Sequence, residues 1–435
     1  MNVCVVGLWH LGSVTAACLA EAGHVVTGLD FDASTIARLQ TGRGPIMEPG
    51  LDDLLTRGLA REKLRFTMDA ADALRGASVV WVTYDTPVDA DDRADVAGVI
   101  ANVRRLFPFL APGTLVLVSS QLPVGSVREL EVAFAAARPG VAVTFGCSPE
   151  NLRLGKAIAV FSKPDRVVAG VRQPADRVRV EELLRPFGAR IEWMSVESAE
   201  MTKHALNAFL ATCVTFANEV ATICEHVGAD AKEVERGLKS EARIGPRAYL
   251  APGAAFAGGT LARDVRFLAD LAGRHATEAA MIPAVEAGNR HHQAWPRRKL
   301  AALLGPLQAR RVAVWGLTYK PGTDTLRRSL SVELCRWLMD QGAEIRVHDP
   351  TVQTLPPGTL TGAIVCAEPM DAVRGADALV IGTEWPVYQD VAAADVVAAM
   401  RMPVVVDANR FLYNTLGMAP GVRYSAVGMP GIRVD

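Results

Sequence analysis

The chain has 435 residues, more than one compact core accommodates, so two or three domains are expected. Half of the residues are hydrophobic, 21% are charged and the formal net charge is −1, a globular composition with no long-range attraction for nucleic acid or an anionic membrane. The seven cysteines (Cys4, Cys18, Cys147, Cys213, Cys224, Cys335 and Cys366) are odd in number and contain no CxxC pair; this argues against a disulfide framework or a zinc site and makes most of them small apolar core residues.

The opening MNVCVVGLWHLG runs directly from a strand into a glycine turn. It lacks the basic region, apolar core and cleavage site of a secretory signal. No uninterrupted apolar run reaches the roughly 18 residues needed to span a bilayer, so a cytoplasmic location is expected. Asn2–Val6, His24–Asp30, Ser78–Thr83, Leu115–Ser119 and Val141–Phe145 are short apolar runs separated by helical stretches. Continuous apolar strands alternating with helices indicate a parallel sheet covered on both faces, and right-handed crossovers make it doubly wound.

The segment Gly7-Leu8-Trp9-His10-Leu11-Gly12 follows the first strand and opens a helix, where a dinucleotide turn carries G-x-G-x-x-G/A. Gly7 supplies the tight turn and Gly12 the close helix–strand approach. Trp9 occupies the middle glycine position, so its side chain must point away or the phosphates must sit differently. Two glycines in a βα unit are weak evidence alone. Asp30, at the end of the second strand and about 20 residues on, strengthens them, because a carboxylate there binds ribose hydroxyls and repels a 2′-phosphate. The competing role for Asp30 is a cap on the following helix.

From Ser195 to Gly228 the sequence has no proline and no internal glycine, with Ser195 or Ser198 as start cap, Glu197 and Glu200 near the positive end and Gly228 as stop. This long helix is hydrophobic on more than one side, as a domain-connecting or dimer-forming spine would be. Lys203 and Asn207, four apart, share one face. A second strand–turn–helix begins at Arg311 and is followed by the apolar runs Glu344–His348, Ala378–Ile381 and Val404–Asp407, a second and smaller α/β domain.

Seven segments occur in one order: VVGLWHLG, VTYDTP (Val82–Pro87), SSQLPVGS (Ser119–Ser126), SPENLRLGKA (Ser148–Ala157), EMTKHALNAFLA (Glu200–Ala211), ARIGPRAYLAPGAAFAGGTLARD (Ala242–Asp264) and GLTYKPGTDTLRRS (Gly316–Ser329). In this order and spacing the chain resembles the UDP-glucose/GDP-mannose dehydrogenases over essentially its whole length. The resemblance implies two Rossmann-like doubly wound parallel-sheet domains joined by a long central helix. It divides the chain into an NAD-binding domain over 1–194, a central dimerising and catalytic domain over 195–300, and a nucleotide-sugar domain over 301–435. It also implies a homodimer, NAD as cofactor, a nucleoside-diphosphate sugar as substrate, and no metal. Cofactor contacts fall to Gly7, Trp9, His10, Leu11, Gly12, Asp30, Thr83, Pro87, Gln121 and Arg327. Substrate contacts fall to Glu150, Leu152, Arg153, Lys203, Asn207, Arg243, Tyr249, Phe256, Gly258 and Lys320, and the chemistry to Lys203, Asn207, Asp264 and Thr260.

Enzymes of this family oxidise a primary alcohol twice, and the second oxidation passes through a thiol that adds to the aldehyde and is released by hydrolysis. Here the position of that cysteine holds Thr260, whose hydroxyl ionises far less readily. A threonine that positions water is replaced by Gln121, and a glutamate of the hydrolytic half by Leu154, while Glu150 is retained. The groups for simple alcohol oxidation, Lys203, Asn207 and Asp264, remain. The pattern indicates a single two-electron oxidation, as of a secondary alcohol to a ketone. The alternatives are an acid-forming enzyme using Thr260 as nucleophile and a non-catalytic nucleotide-sugar binder; one, two or no NADH per sugar separates the three.

Overall fold

The structure, a computed structural model, describes residues 1–89, 93–150, 152–257 and 259–430. It divides into two compact units, Met1–Leu206 and Asn207–Asp435.

The first unit holds eight strands: β1 (Asn2–Val6), β2 (Val25–Leu29), β3 (Leu64–Thr67), β4 (Val79–Val82), β5 (Leu115–Val118), β6 (Thr144–Cys147), β7 (Val167–Val171) and β8 (Ile191–Met194). They form one sheet in the order β3-β2-β1-β4-β5-β6-β7-β8. The order reverses direction between β1 and β4, the crevice where doubly wound sheets bind ligands. Alternation along β1 sends Val3 and Val5 into the core on one face and Cys4 and Val6 into the core on the other. Both faces are therefore buried, and the central strands read as unbroken apolar runs.

The doubly wound parallel sheet holds one antiparallel pair, since β7 runs antiparallel to β6. A return crossover needs a helix long enough to cross the sheet, and the helix between these strands, Ala157–Ser162, has six residues. The chain instead re-enters from the end it left. The segment after β6, which carries Glu150, thus stays at the carboxyl edge of the sheet, beside the glycine turn. The run expected as a strand over Val141–Phe145 is realised as β6, two or three residues later, because 141–143 follow the left-handed Gly140 (φ 80°) as a turn exit.

The second unit holds β9 (Arg311–Trp315), β10 (Glu344–His348), β11 (Ile364–Val365), β12 (Ala378–Ile381), β13 (Val404–Val406) and β14 (Arg423–Ser425). All neighbours are parallel, in the order β11-β10-β9-β12-β13-β14, which repeats the winding of the first six strands. Val312 and Val314 face one core layer, Ala313 and Trp315 the other.

The long helix runs from Val196 to Val227. The Ser195 hydroxyl accepts from the amide of Ser198 at 3.2 Å, so Ser195 is the cap, and Gly228 closes the helix with φ 79°. By length and composition this helix is apolar enough to cross a bilayer (mean hydropathy 1.3), a property that a search for uninterrupted apolar runs does not detect. Its buried polar residues nevertheless bond within the protein: His204 to the Leu122 carbonyl, and Asn218 to the main chain of Gly253 and Ala254.

Candidate active site

In the first unit the turn after β1 is built around space that no side chain could share. Gly7 has φ 87°, and a Cβ there would lie 2.5 Å from the ring of Tyr84; a Cβ on Gly12 would lie 1.9 Å from the Gly7 carbonyl oxygen and 2.6 Å from Thr83 Oγ1. The Thr83 hydroxyl lies 2.9 Å from the carbonyls of both Val6 and Gly7 and is fully buried, so it braces the turn from beneath. Trp9 precedes the helix His10–Glu21 and is 43% exposed; its side chain is turned out, and the middle position of the turn is not filled by it. Asp30 accepts from the amides of Leu8 (2.6 Å) and Asp32 (3.0 Å), which leaves further lone pairs on the carboxylate for a diol. Leu11 is half-buried and Pro87 exposed. A tight glycine turn, a helix start with unpaired amides and an acid at the end of β2 fit a dinucleotide.

A second cluster in the same unit lines a cavity of about 20 Å³ formed by Ser120, Gln121, Glu150, Glu200, Lys203 and His204, among others. That volume suits one water-sized group. Lys203 is 8% exposed, its Nζ donates to the main-chain oxygen of Glu150 at 2.5 Å, and it stands 3.8 Å from the Glu150 carboxylate. The Glu150 carboxylate also accepts from the Leu152 amide at 2.7 Å. Arg153, next in this loop, is exposed, and Leu154 is half-buried. Burial pushes the Glu200 carboxyl up, against the opposing pull of the Gly125 and Val127 amides that it accepts at 2.8 and 3.0 Å. Ser120 Oγ is buried here with no hydrogen-bond partner among the described residues.

In the second unit Asn207 and Asp264 meet: the Asn207 amide donates to the Asp264 carboxylate, and both are buried. Asp264 lies in the second turn of the helix Thr260–Arg274, so it does not cap that helix. Thr260 is the first residue of the same helix and is exposed. Phe256 packs with Ala208, Ala211, Val265 and Val285, and its main chain is clamped on both sides by the Asn289 side chain at 3.0 and 3.1 Å. Tyr249 (59% exposed) and Arg243, paired with Glu241 at 2.9 Å, lie on the surface of this unit. Gly258 lies outside the described residues.

The turn after β9 repeats the first in chemistry. Gly316 has φ 91°, with Thr383 where a Cβ would stand, and Asp349 accepts from the Leu317 amide at 2.8 Å as Asp30 does from Leu8. Asp349, however, also accepts from the Thr318 amide, the Trp385 indole and both the amide and the hydroxyl of Thr351. Its carboxylate is saturated by its own protein, whereas that of Asp30 is not, and this separates a structural acid from one able to hold a ribose. Lys320 is half-buried and Arg327 exposed in the loop that follows.

Burial opposes thiolate formation at six of the seven cysteines. Burial pushes Cys4, Cys18 and Cys335 up to about 12, raises Cys147 well above the thiol range although it lines the Lys203 cavity, and raises Cys213 and Cys366. Among the described residues no group of His, Cys, Asp or Glu is arranged to hold a metal. Sequence reasoning passed over Glu48, Tyr84, Ser120 and Asn289. None of the four stands out by local sequence: Glu48 lies in a loop between Met47 and Pro49 and Asn289 between Gly288 and Arg290, and the partners of both are distant in the chain.

Comparison with known proteins agrees with this architecture. Residues 1–188 match the NAD binding domain, 197–291 the central domain and 313–414 the UDP binding domain of the UDP-glucose/GDP-mannose dehydrogenase family. The chain is 36% identical to a UDP-glucose 6-dehydrogenase of Pseudomonas aeruginosa (99% of this chain, 98% of that one) and 33% identical to one of Rhizobium meliloti (99% and 100%). It superposes on the structure of a UDP-glucose dehydrogenase from Pyrobaculum islandicum with a TM-score of 0.86 at 31% identity, covering 93% of each chain. The chain belongs to the UDP-glucose/GDP-mannose dehydrogenase family and is an NAD-dependent nucleotide-sugar dehydrogenase.

Proposed function

We propose that this enzyme performs one two-electron oxidation per sugar, converting a secondary hydroxyl of a nucleoside-diphosphate sugar to a ketone. The candidate reaction is oxidation at C6 of a GDP-octose in lincosamide antibiotic biosynthesis, carried out by a cytoplasmic homodimer. The supporting observation is Thr260: it is exposed at the start of a helix, at the position that the sequence resemblance assigns to the family's thiol, and burial raises the thiols near Lys203 and elsewhere. A ketone carries no second hydride, so it needs no covalent adduct. NAD, when bound, accepts the hydride. The Lys203 ammonium, held in place by Glu150, stabilises the developing alkoxide, whose proton leaves to water. Incubation with NAD and a panel of UDP- and GDP-sugars, read by mass, is expected to show a product lighter by about two daltons, the proton and hydride lost, with one NADH. A carboxylate with two NADH overturns the proposal.

Two further outcomes arise here. Asp30 places a negative charge at the adenosine ribose, so turnover with NADP is expected to be less than about one tenth of that with NAD at equal concentration; comparable rates would displace Asp30 from the ribose. On the long helix, Phe209 (66%), Phe216 (49%), Ile223 (61%) and Val227 (67%) are exposed at spacings of seven and four, a stripe that a second copy of the helix would bury. Phe209→Asp with Phe216→Asp is expected to halve the sedimenting mass. An unchanged dimer would place the interface elsewhere.

A further inference from the structure

Glu48 lies in the loop before the helix Leu51–Ala60 and belongs to none of the groups assigned above. Its side chain is 1% exposed. Burying a carboxylate costs several kcal/mol unless charge-assisted bonds offset it, and this one accepts three. Oε2 receives His10 Nε2 at 2.8 Å and the Gly155 amide at 2.7 Å, while Oε1 receives the Ala157 amide at 2.8 Å. Burial pushes its carboxyl up, but the His10 and amide hydrogen bonds, with the charge of His10, prevail and hold it below the ordinary range.

The donors come from two functional segments. His10 is the first residue of the helix that opens the dinucleotide turn. Gly155 and Ala157 end the loop whose other end holds Glu150 against Lys203. One carboxylate thus joins the cofactor turn to the loop that positions the catalytic lysine, all within Met1–Leu206. A residue needed only to anchor the loop would require the two amides and not His10.

We propose that Glu48 is a positioning residue that transmits occupation of the dinucleotide turn, through His10, to the 148–157 loop. The cofactor-bound turn and an ordered Glu150–Lys203 pair then favour each other, and the coupling is reciprocal. The proposal rests on NAD occupying the 7–12 turn.

The test is hydrogen–deuterium exchange of the full chain with and without saturating NADH, in wild type, Glu48→Gln, His10→Ala and His10→Gln. In wild type, NADH is expected to slow exchange in both the 7–12 and the 148–157 peptides, by about tenfold. Glu48→Gln keeps the volume but sets an NH₂ donor against an N–H donor. His10→Ala leaves both amide bonds of Glu48 intact. In Glu48→Gln the 7–12 peptide is expected to remain protected by NADH while the NADH-dependent protection of 148–157 is lost; His10→Ala, compared with wild type at NADH concentrations that give equal occupancy, is expected to lose the 148–157 protection as well. His10→Gln restores a donor and is expected to recover it. Loop protection in His10→Ala equal to wild type overturns the coupling and leaves Glu48 a structural anchor. Loss of protection at 7–12 already in wild type overturns the cofactor placement, and the coupling with it.

Discussion

Lys203→Ala is expected to lower turnover by about 100-fold or more, because in the proposed reaction this residue supplies the positive charge beside the developing alkoxide. Lys203 is almost fully buried, with its ammonium on the Glu150 carbonyl and near the Glu150 carboxylate, so no neighbouring solvated side chain replaces it. Thr260→Ala is expected to keep most activity, with a loss on the order of 1 kcal/mol if a single hydrogen bond is forfeited. Thr260→Cys alone is expected to give no acid, since Gln121 and Leu154 leave the hydrolytic half unsupported. Steady-state rates on the reactive sugar, with melting temperatures to confirm folding, check all three. Equal and large losses in Lys203→Ala and Thr260→Ala, together with a carboxylate product in wild type, would replace this chemistry with threonine nucleophilic catalysis.

Gly12→Ala is expected to weaken NADH binding by about 100-fold or more, equivalent to about 2.7 kcal/mol. The added carbon meets the backbone carbonyl of Gly7 at 1.9 Å and the braced Thr83 hydroxyl at 2.6 Å. Neither can swing aside: the carbonyl is part of the turn, and the hydroxyl is held by Val6 and Gly7. The turn must therefore open, and its amides and Asp30 lose their common geometry. Gly23→Ala is the control. Gly23 lies in the same unit with φ 95° and has nothing within 4 Å of a Cβ, so it is expected to lower stability through backbone strain without affecting NADH affinity. Fluorescence titration of the two variants checks this; wild-type affinity in Gly12→Ala would move the cofactor off this turn.

The legible part of this protein is the part whose chemistry is local. Strands β1, β4, β5, β9, β12 and β13 lie inside their sheets and are buried on both faces, so they appear as unbroken apolar runs. The glycine turn, Asp30 and the long helix are likewise set by neighbours in the chain, and the ordered motifs pointed to the family and to NAD. The edge strands β3, β8, β11 and β14 were not read, because an edge needs fewer apolar residues: Arg65, Glu192, Ile364 and Arg423 face outward at least in part. The reversed β7 was missed because strand direction is settled by the length of the connection and leaves no periodic trace.

Tertiary structure alone decided which acids are available. Asp30 and Asp349 follow equivalent strands, yet only the fold shows that Trp385 and Thr351 saturate the second. Likewise Glu48 lies in the sequence as one acid between Met47 and Pro49, with its donors 38, 107 and 109 residues away. Periodicity reports which face of an element is buried. It carries no information about which distant polar groups share that burial, and a buried charge is stable only when those groups converge on it.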